Sequence, residues 1–478
     1  MPATESRNGP NLSIRLTDSP PEYAPGDVIL GHVVRGAQVV AARAIVSVRL
    51  YGRCKSKIHR QKGSNSSVTY RGRFNLLSQQ QNDLFQKIFE GPVHVPARGP
   101  AAQWPFAIPI PTHPDPRSVP VGNDPSCSYL PLDASPVSTQ PLPGSFSFAD
   151  TGFHSRAQAF VEYWLEAEMR RVGGQHGIDT ATLPVAVRAL STPGPIASFQ
   201  PRADARLITV ATLRMVPGME GAELTFKQKA AMFFGSSKIP RYGFRLQVAM
   251  PAVIQLDHPT PLPLLFRVVP DRAHTSDILH DVPQVVCLTS LRVELEAYTE
   301  VLCPTSFNNP NRYNQSETIN VGVEGAFFQL LRQQGLVVIP SGASAEFLNV
   351  GEHIRLRLGA RHTSVFGRTA VRGSSPLQAT FTTYNIKRWY ALQWKATVDV
   401  AGETERVRGE HTVQLLAPSE EQAARFKPGA SGTAVLQRAE FGAGESSATG
   451  AAGSEKTLPS YQEAMKDTER PSSFDGGG

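Results

Sequence analysis

The most regular stretch of the chain runs from Tyr390 to Val400. Its even positions are apolar (Tyr390, Leu392, Trp394, Ala396, Val398, Val400), and the odd ones between them are small or polar (Ala391, Gln393, Lys395, Thr397, Asp399). Side chains of a strand point alternately to opposite faces, so this period of two predicts a strand with one dry face and one wet face. A second sheet must cover the dry face. The same alternation recurs at Val46, Val48 and Leu50, over 159–169, at Leu291, Val293, Leu295 and Ala297, and at Ile354, Leu356 and Leu358. Residues 12–34 read as two short strands around a Pro25-Gly26-Asp27 turn, and the proline-spaced run from Trp104 to Pro111 is held extended. Further strands are predicted over 183–190, 207–213, 244–248 and 262–269. Residues 74–93 fit either one helical face or two strand ends, and no long amphipathic helix is predicted. The pattern implies an all-β protein built as two immunoglobulin-like β-sandwiches in tandem.

Breaks in the pattern mark the boundaries. An N-terminal sandwich is expected over 1–190, with a Pro-, Ser- and Asp-rich surface insertion at about 112–150. Ser191-Thr192-Pro193-Gly194-Pro195 opens a linker expected over 191–205, and a second sandwich is expected over 206–417. Residues 418–478 are expected to form a flexible tail. Within it, 428–456 is dominated by Gly, Ala and Ser, which bury too little apolar surface to offset the entropy of ordering.

Composition narrows the function. Proline makes up 39 of 478 residues, which suits loops, edges and tails and argues against a helical protein. The four cysteines (Cys54, Cys127, Cys287, Cys303) are far apart and lack metal-ligand spacing, pointing to a reducing compartment. The polar start has no signal-peptide character, and no apolar run approaches the ~20 residues that span a bilayer. A cytoplasmic protein is expected. No Gly-x-Ser-x-Gly elbow, His-Glu-x-x-His or phosphate-cradling loop occurs, so neither catalytic residues nor a metal or cofactor is expected. The net charge is +7. Its basic runs lack interleaved stacking aromatics, which argues against nucleic acid.

Several stretches together resemble one family. Tyr23-Ala24-Pro25-Gly26-Asp27-Val28-Ile29-Leu30-Gly31-His32-Val33 resembles the first signature of an arrestin N-domain. The runs starting at Trp104, at Leu142 (Leu142-Pro143-Gly144-Ser145-Phe146) and at Val161 (Val161-Glu162-Tyr163-Trp164-Leu165-Glu166-Ala167) resemble its later strands, in order. Pro283 to Leu295 and Phe381 to Val398 resemble the arrestin C-domain. Over roughly 12–417 the chain is similar to the arrestin-related trafficking adaptors, the α-arrestins of fungal type. The resemblance implies two arrestin-like domains and a non-catalytic cytosolic adaptor, recruited peripherally to plasma membrane or endosomes. Such adaptors bring a WW-domain HECT-type ubiquitin ligase to the cytosolic tails of plasma-membrane transporters or receptors, promoting their ubiquitination and endocytosis. The alternative is a sorting-coat or retromer-like scaffold subunit that recruits no ligase.

Adaptors of this kind carry Pro-Pro-x-Tyr or Leu-Pro-x-Tyr motifs, whose extended backbone has little entropy left to lose on binding an aromatic groove. The chain has three x-Pro-x-Tyr matches. Pro20-Pro21-Glu22-Tyr23 runs straight into a strand signature, and Ile239-Pro240-Arg241-Tyr242 leads into the strand at Phe244, so both tyrosines are expected to pack in the fold. Leu458-Pro459-Ser460-Tyr461 lies in the expected tail and is the candidate ligase-binding motif. Separately, residues 49–73 contain Arg49, Arg53, Lys55, Lys57, Arg60, Lys62, Arg71 and Arg73 and no acid. Arg53, Lys55, Lys57, Arg60 and Lys62 are the candidate patch for acidic or phosphorylated cargo tails or anionic lipids. Residues 353–398 form a second acid-free stretch.

Overall fold

The computed structural model describes residues 4–425, except 18–19, 21, 63–65, 78–81, 153–154, 173–177, 221–222, 224–238, 306–308 and 372–375. The described chain is mostly β, with several antiparallel sheets in two regions, each around its own core.

In the N-terminal region, β1 (Ser13–Leu16), β2 (Val28–Arg35) and β6 (Ala102–Pro109) form one antiparallel sheet in the order β1-β2-β6. The facing sheet is organised on β3 (Val39–Gln61), which pairs with β4 (Ser67–Asn75), β5 (Phe85–Val95) and β8 (Ser155–Arg171). β7 (Phe146–Asp150) and β9 (Asp179–Val185) pair with β8. Ile29, Val33, Phe106 and Ile108 of the small sheet share a cluster with Val46, Leu50, Ile58 and Leu165 of the large one. The strands expected at 46–50, 104–111 and 159–169 fall in β3, β6 and β8. Of the ambiguous 74–93 stretch, the described residues hold the end of β4, a single 3-10 turn at Asn82–Leu84 and most of β5.

In the C-terminal region, β10 (Pro201–Ala211), β11 (Arg241–Pro251), β13 (Leu265–Pro270) and β17 (Leu348–Asn349) form one sheet. The facing sheet has β12 (Val253–Gln255), β14 (Val286–Cys303), β15 (Asn311–Asn320), β22 (Ile386–Val400) and β23 (Glu403–Leu416), in the order β12-β23-β22-β14-β15. Off that path, β16 (Val337–Val338) pairs with β14 and β21 (Phe381–Thr382) with β22, and β18 (Arg357–Leu358), β19 (His362–Val365) and β20 (Arg368–Val371) form a small third sheet. The alternating segment is β22, and Tyr390, Leu392, Trp394, Ala396, Val398 and Val400 are all buried.

Three expectations are corrected. Ile354, Leu356 and Leu358 are buried as the alternation requires, but a helical turn (Val350–His353) and the left-handed Arg355, at φ 52°, confine the strand to two residues. A helix occurs at Val323–Gln334, where Val323, Ala326, Phe327 and Leu330 make one buried face at helical spacing. The 112–150 insertion is no mere surface loop. Val119 and Val137 are wholly buried in the N-terminal core, and Tyr129 N donates to Tyr384 O at 2.9 Å. Its prolines keep 112–145 free of strands while its spaced aliphatics still fill the core, and β7 occupies its end.

The two regions are joined over a buried seam. Val301, Cys303, Tyr384 and Ile386, all from the C-terminal half of the chain, belong to the N-terminal core. Tyr384 stacks on Phe74 with centroids 5.2 Å apart. The Ser56 hydroxyl donates to Leu302 O at 2.6 Å and accepts from Asn385 Nδ2 at 2.9 Å. Packing continues past residue 417 into a helix at Glu420–Arg425. Ser419 is fully buried, Gln422 Nε2 donates to Asp257 O at 2.6 Å, and the Arg188 guanidinium pairs with Glu420 through Nη1 and Oε1 at 2.6 Å.

Candidate functional site

Cys54, Ser56 and Ile58 of β3 are buried against the core, so Arg53, Lys55, Lys57 and His59 lie on the opposite, outer face. Register then brings in cations from the neighbouring strands. Arg73 lies beside Lys55 and Arg71 beside Lys57 on β4, and Arg156 lies beside His59 on β8. Arg71, Arg73 and Arg156 are exposed. Along this end of the β4-β3-β8 face the acid in register is Glu162, opposite Arg53.

Glu162 consumes part of the charge. One of its oxygens lies 2.8 Å from both Lys55 Nζ and Arg53 Nε, and the other accepts from Thr4 N at 2.7 Å. Lys55 is only 5% exposed. Burial alone would raise the Glu162 pKa, but the bonds from Lys55, Thr4 and Arg53 outweigh it and hold the carboxyl below its usual range. The Arg53 guanidinium also lies 4.3 Å from the Trp164 ring centroid. Burial first, and then the nearby charge of Arg53, lowers the Arg73 pKa.

The five predicted patch residues therefore separate. Arg53 and Lys55 are committed to Glu162. Arg60, still within β3, turns its guanidinium aside and donates to Arg312 O at 2.6 Å, across the seam. Lys57 and Lys62 make no side-chain hydrogen bond or ion pair among the described residues, and Lys57 shares the open sheet surface with Arg71, Arg73 and Arg156. The sequence reading placed Arg71 and Arg73 in the basic run but not on the face, and it missed Arg156, whose place depends on strand pairing. The second acid-free stretch does not gather into one patch. Arg357 lies on β18, Arg368 on β20, Lys387 over the Trp389 ring and Arg388 against Tyr390. Arg372 lies outside the described residues.

The x-Pro-x-Tyr motifs also separate. Tyr23 is buried; its N–H donates to Ala186 O at 2.9 Å and its carbonyl accepts from Arg188 N at 2.8 Å. Tyr242 is buried and stacked on Phe244 with centroids 5.3 Å apart. Both were expected to pack. Leu458, Pro459, Ser460 and Tyr461 lie outside the described residues.

Among the described residues no group of three or more His, Cys, Asp or Glu side chains is arranged to hold a metal ion. No helix there is long and apolar enough to cross a membrane. All four cysteines are buried and unpaired, and burial pushes the Cys54 thiol up to about 12, far from the thiolate that reactive cysteines need. No protein-family model matches the chain, and no curated protein matches it in sequence.

Proposed function

We infer that the protein is an adaptor of the arrestin-related trafficking type. Its two β-rich regions would act as arrestin-like, immunoglobulin-like sandwich domains that dock on the cytosolic tails of plasma-membrane transporters or receptors. Leu458-Pro459-Ser460-Tyr461 would recruit a WW-domain HECT-type ubiquitin ligase to that cargo. The chain itself would carry out no chemistry, and ubiquitin transfer by the ligase would mark the cargo for endocytosis.

One observation carries this reading. Of the three tyrosines in x-Pro-x-Tyr matches, Tyr23 and Tyr242 are buried in the fold, so a WW groove could reach them only by unfolding it. The motif at Tyr461 lies outside the described residues, and the burial that closes off the other two does not bear on it. The cationic face at Lys57, Arg71, Arg73 and Arg156 supports cargo docking, because acidic tails or an anionic leaflet would be attracted to it over about a Debye length, ~8 Å at physiological salt. A weak linear motif and a weak sheet contact working together would raise the effective concentration of ligase at the cargo.

The test is a pull-down of the full chain with a WW-domain array. Tyr461→Ala is expected to abolish capture, whereas Tyr23→Ala lowers the melting temperature. Undiminished capture by a chain ending at residue 456 would refute the ligase assignment.

A further inference from the structure

We propose that the cleft between the two β regions is a binding site for a small amphipathic carboxylate, a ligand with an aliphatic body and one anionic head. This inference is independent of the adaptor reading. The cleft has a volume of about 350 Å³ and takes Val187, Arg188 and Ala189 from the N-terminal region. Leu256, Asp257, Arg361, His362 and Leu377 to Ala379 come from the C-terminal region, and Ala417 and Ala423 close it from the end of the fold. Small-molecule sites are mostly apolar hollows of roughly 300–1,000 Å³ at domain boundaries, with a few polar groups to orient the ligand. This cleft matches that description in size, position and lining.

The charges choose the ligand. Arg188 is already set against acid: Glu420 grips its guanidinium with both oxygens, and Glu22, which also lines the cleft, acts on the same cation. Asp257 accepts from Ala360 N at 3.3 Å and faces His362 Nε2 at 3.7 Å. Arg361 is different: it is exposed on the cleft wall and has no hydrogen bond or ion pair among the described residues. An exposed guanidinium on the lining of a largely apolar hollow favours a carboxylate, which it can bind through two parallel hydrogen bonds. Val187, Leu256 and Leu377, all buried, give the lining its aliphatic part, against which the hydrocarbon body would rest. A bound ligand would touch both regions at once and so stiffen the seam between them.

Calorimetric titration of the full chain with octanoate and with 1-octanol tests the proposal. Octanoate is expected to bind with one-to-one stoichiometry, at least about tenfold more tightly than the alcohol. Arg361→Gln should remove that difference and leave 1-octanol binding unchanged. Ala423→Trp, which puts an indole into the cleft, should weaken both ligands at least tenfold. On the unaltered protein, affinity should rise from hexanoate to octanoate and level off once the chain outgrows the cleft. Absence of saturable binding, insensitivity of octanoate to Arg361→Gln, or affinity that climbs steadily through tetradecanoate would overturn the assignment.

Discussion

Glu162→Gln keeps the shape of the side chain and deletes the charge that two cations share. The consequence differs for the two. Arg53 is 18% exposed and lies on an indole face, so it can turn toward water. Lys55, with 6% of its side chain exposed, has no such route and would lose the carboxylate that lies 2.8 Å from its ammonium. Removing one partner of a buried pair costs roughly 3–5 kcal/mol, and because the Gln carbonyl still accepts one hydrogen bond the expected loss is about 3 kcal/mol. The assay is urea unfolding followed by tryptophan fluorescence, to which Trp164 beside Arg53 contributes. The double variant Lys55→Met with Glu162→Leu should recover to within about 1 kcal/mol of the parent, since an apolar pair of similar volume can replace a buried ion pair. The pH dependence has a definite sign. The folded pKa of Glu162 lies below its usual 4.5, so its contribution is complete above that value and is lost as pH falls through the folded pKa. The parent should therefore weaken more steeply than Glu162→Gln in that acidic window. A loss under about 1 kcal/mol for the single variant, or a double variant no better than the single, would refute the claim that Lys55 depends on Glu162.

Reversing Lys57 and Arg71 to Glu should weaken binding of an acidic tail peptide and flatten its salt dependence, measured by fluorescence anisotropy, with melting temperature unchanged. Gly351→Ala would drive a methyl into the Leu262 carbonyl, an overlap with backbone that no rotamer relieves. It should destabilise the C-terminal region by about 2 kcal/mol or more in thermal unfolding. Tyr384→Phe removes the hydroxyl that donates to Gln140 Oε1 at 2.7 Å and should lower stability by about 1 kcal/mol while leaving the ring stacked on Phe74.

Much of the framework was legible in one sequence because half-buried strands write their period directly into it. β3, β8, β14 and β22 each alternate over enough residues to exclude a helix. The helix Val323–Gln334 was not legible: its apolar positions are interrupted by Gly325, and Leu331 and the exposed Phe328 blur the face. The insertion misled because proline content reports absence of regular structure and says nothing of burial. The basic run was visible, but its neutralisation was not. Glu162 lies 109 residues from Arg53, and only the pairing of β3 with β8 sets them together. The same long-range pairing adds Arg156 to the face, and the cleft at Arg361 arises from segments that no local pattern connects.

The sharing of Val301, Cys303, Tyr384 and Ile386 with the N-terminal core has a consequence for biosynthesis. A ribosome delivers the first half of the polypeptide long before these residues emerge. Until they arrive, Phe74 and the hydroxyl of Ser56 await partners encoded hundreds of codons downstream. Early domains of large proteins are most exposed to misassembly in such an interval. A nascent chain arrested before residue 384 should therefore retain chaperones that release once the seam can close.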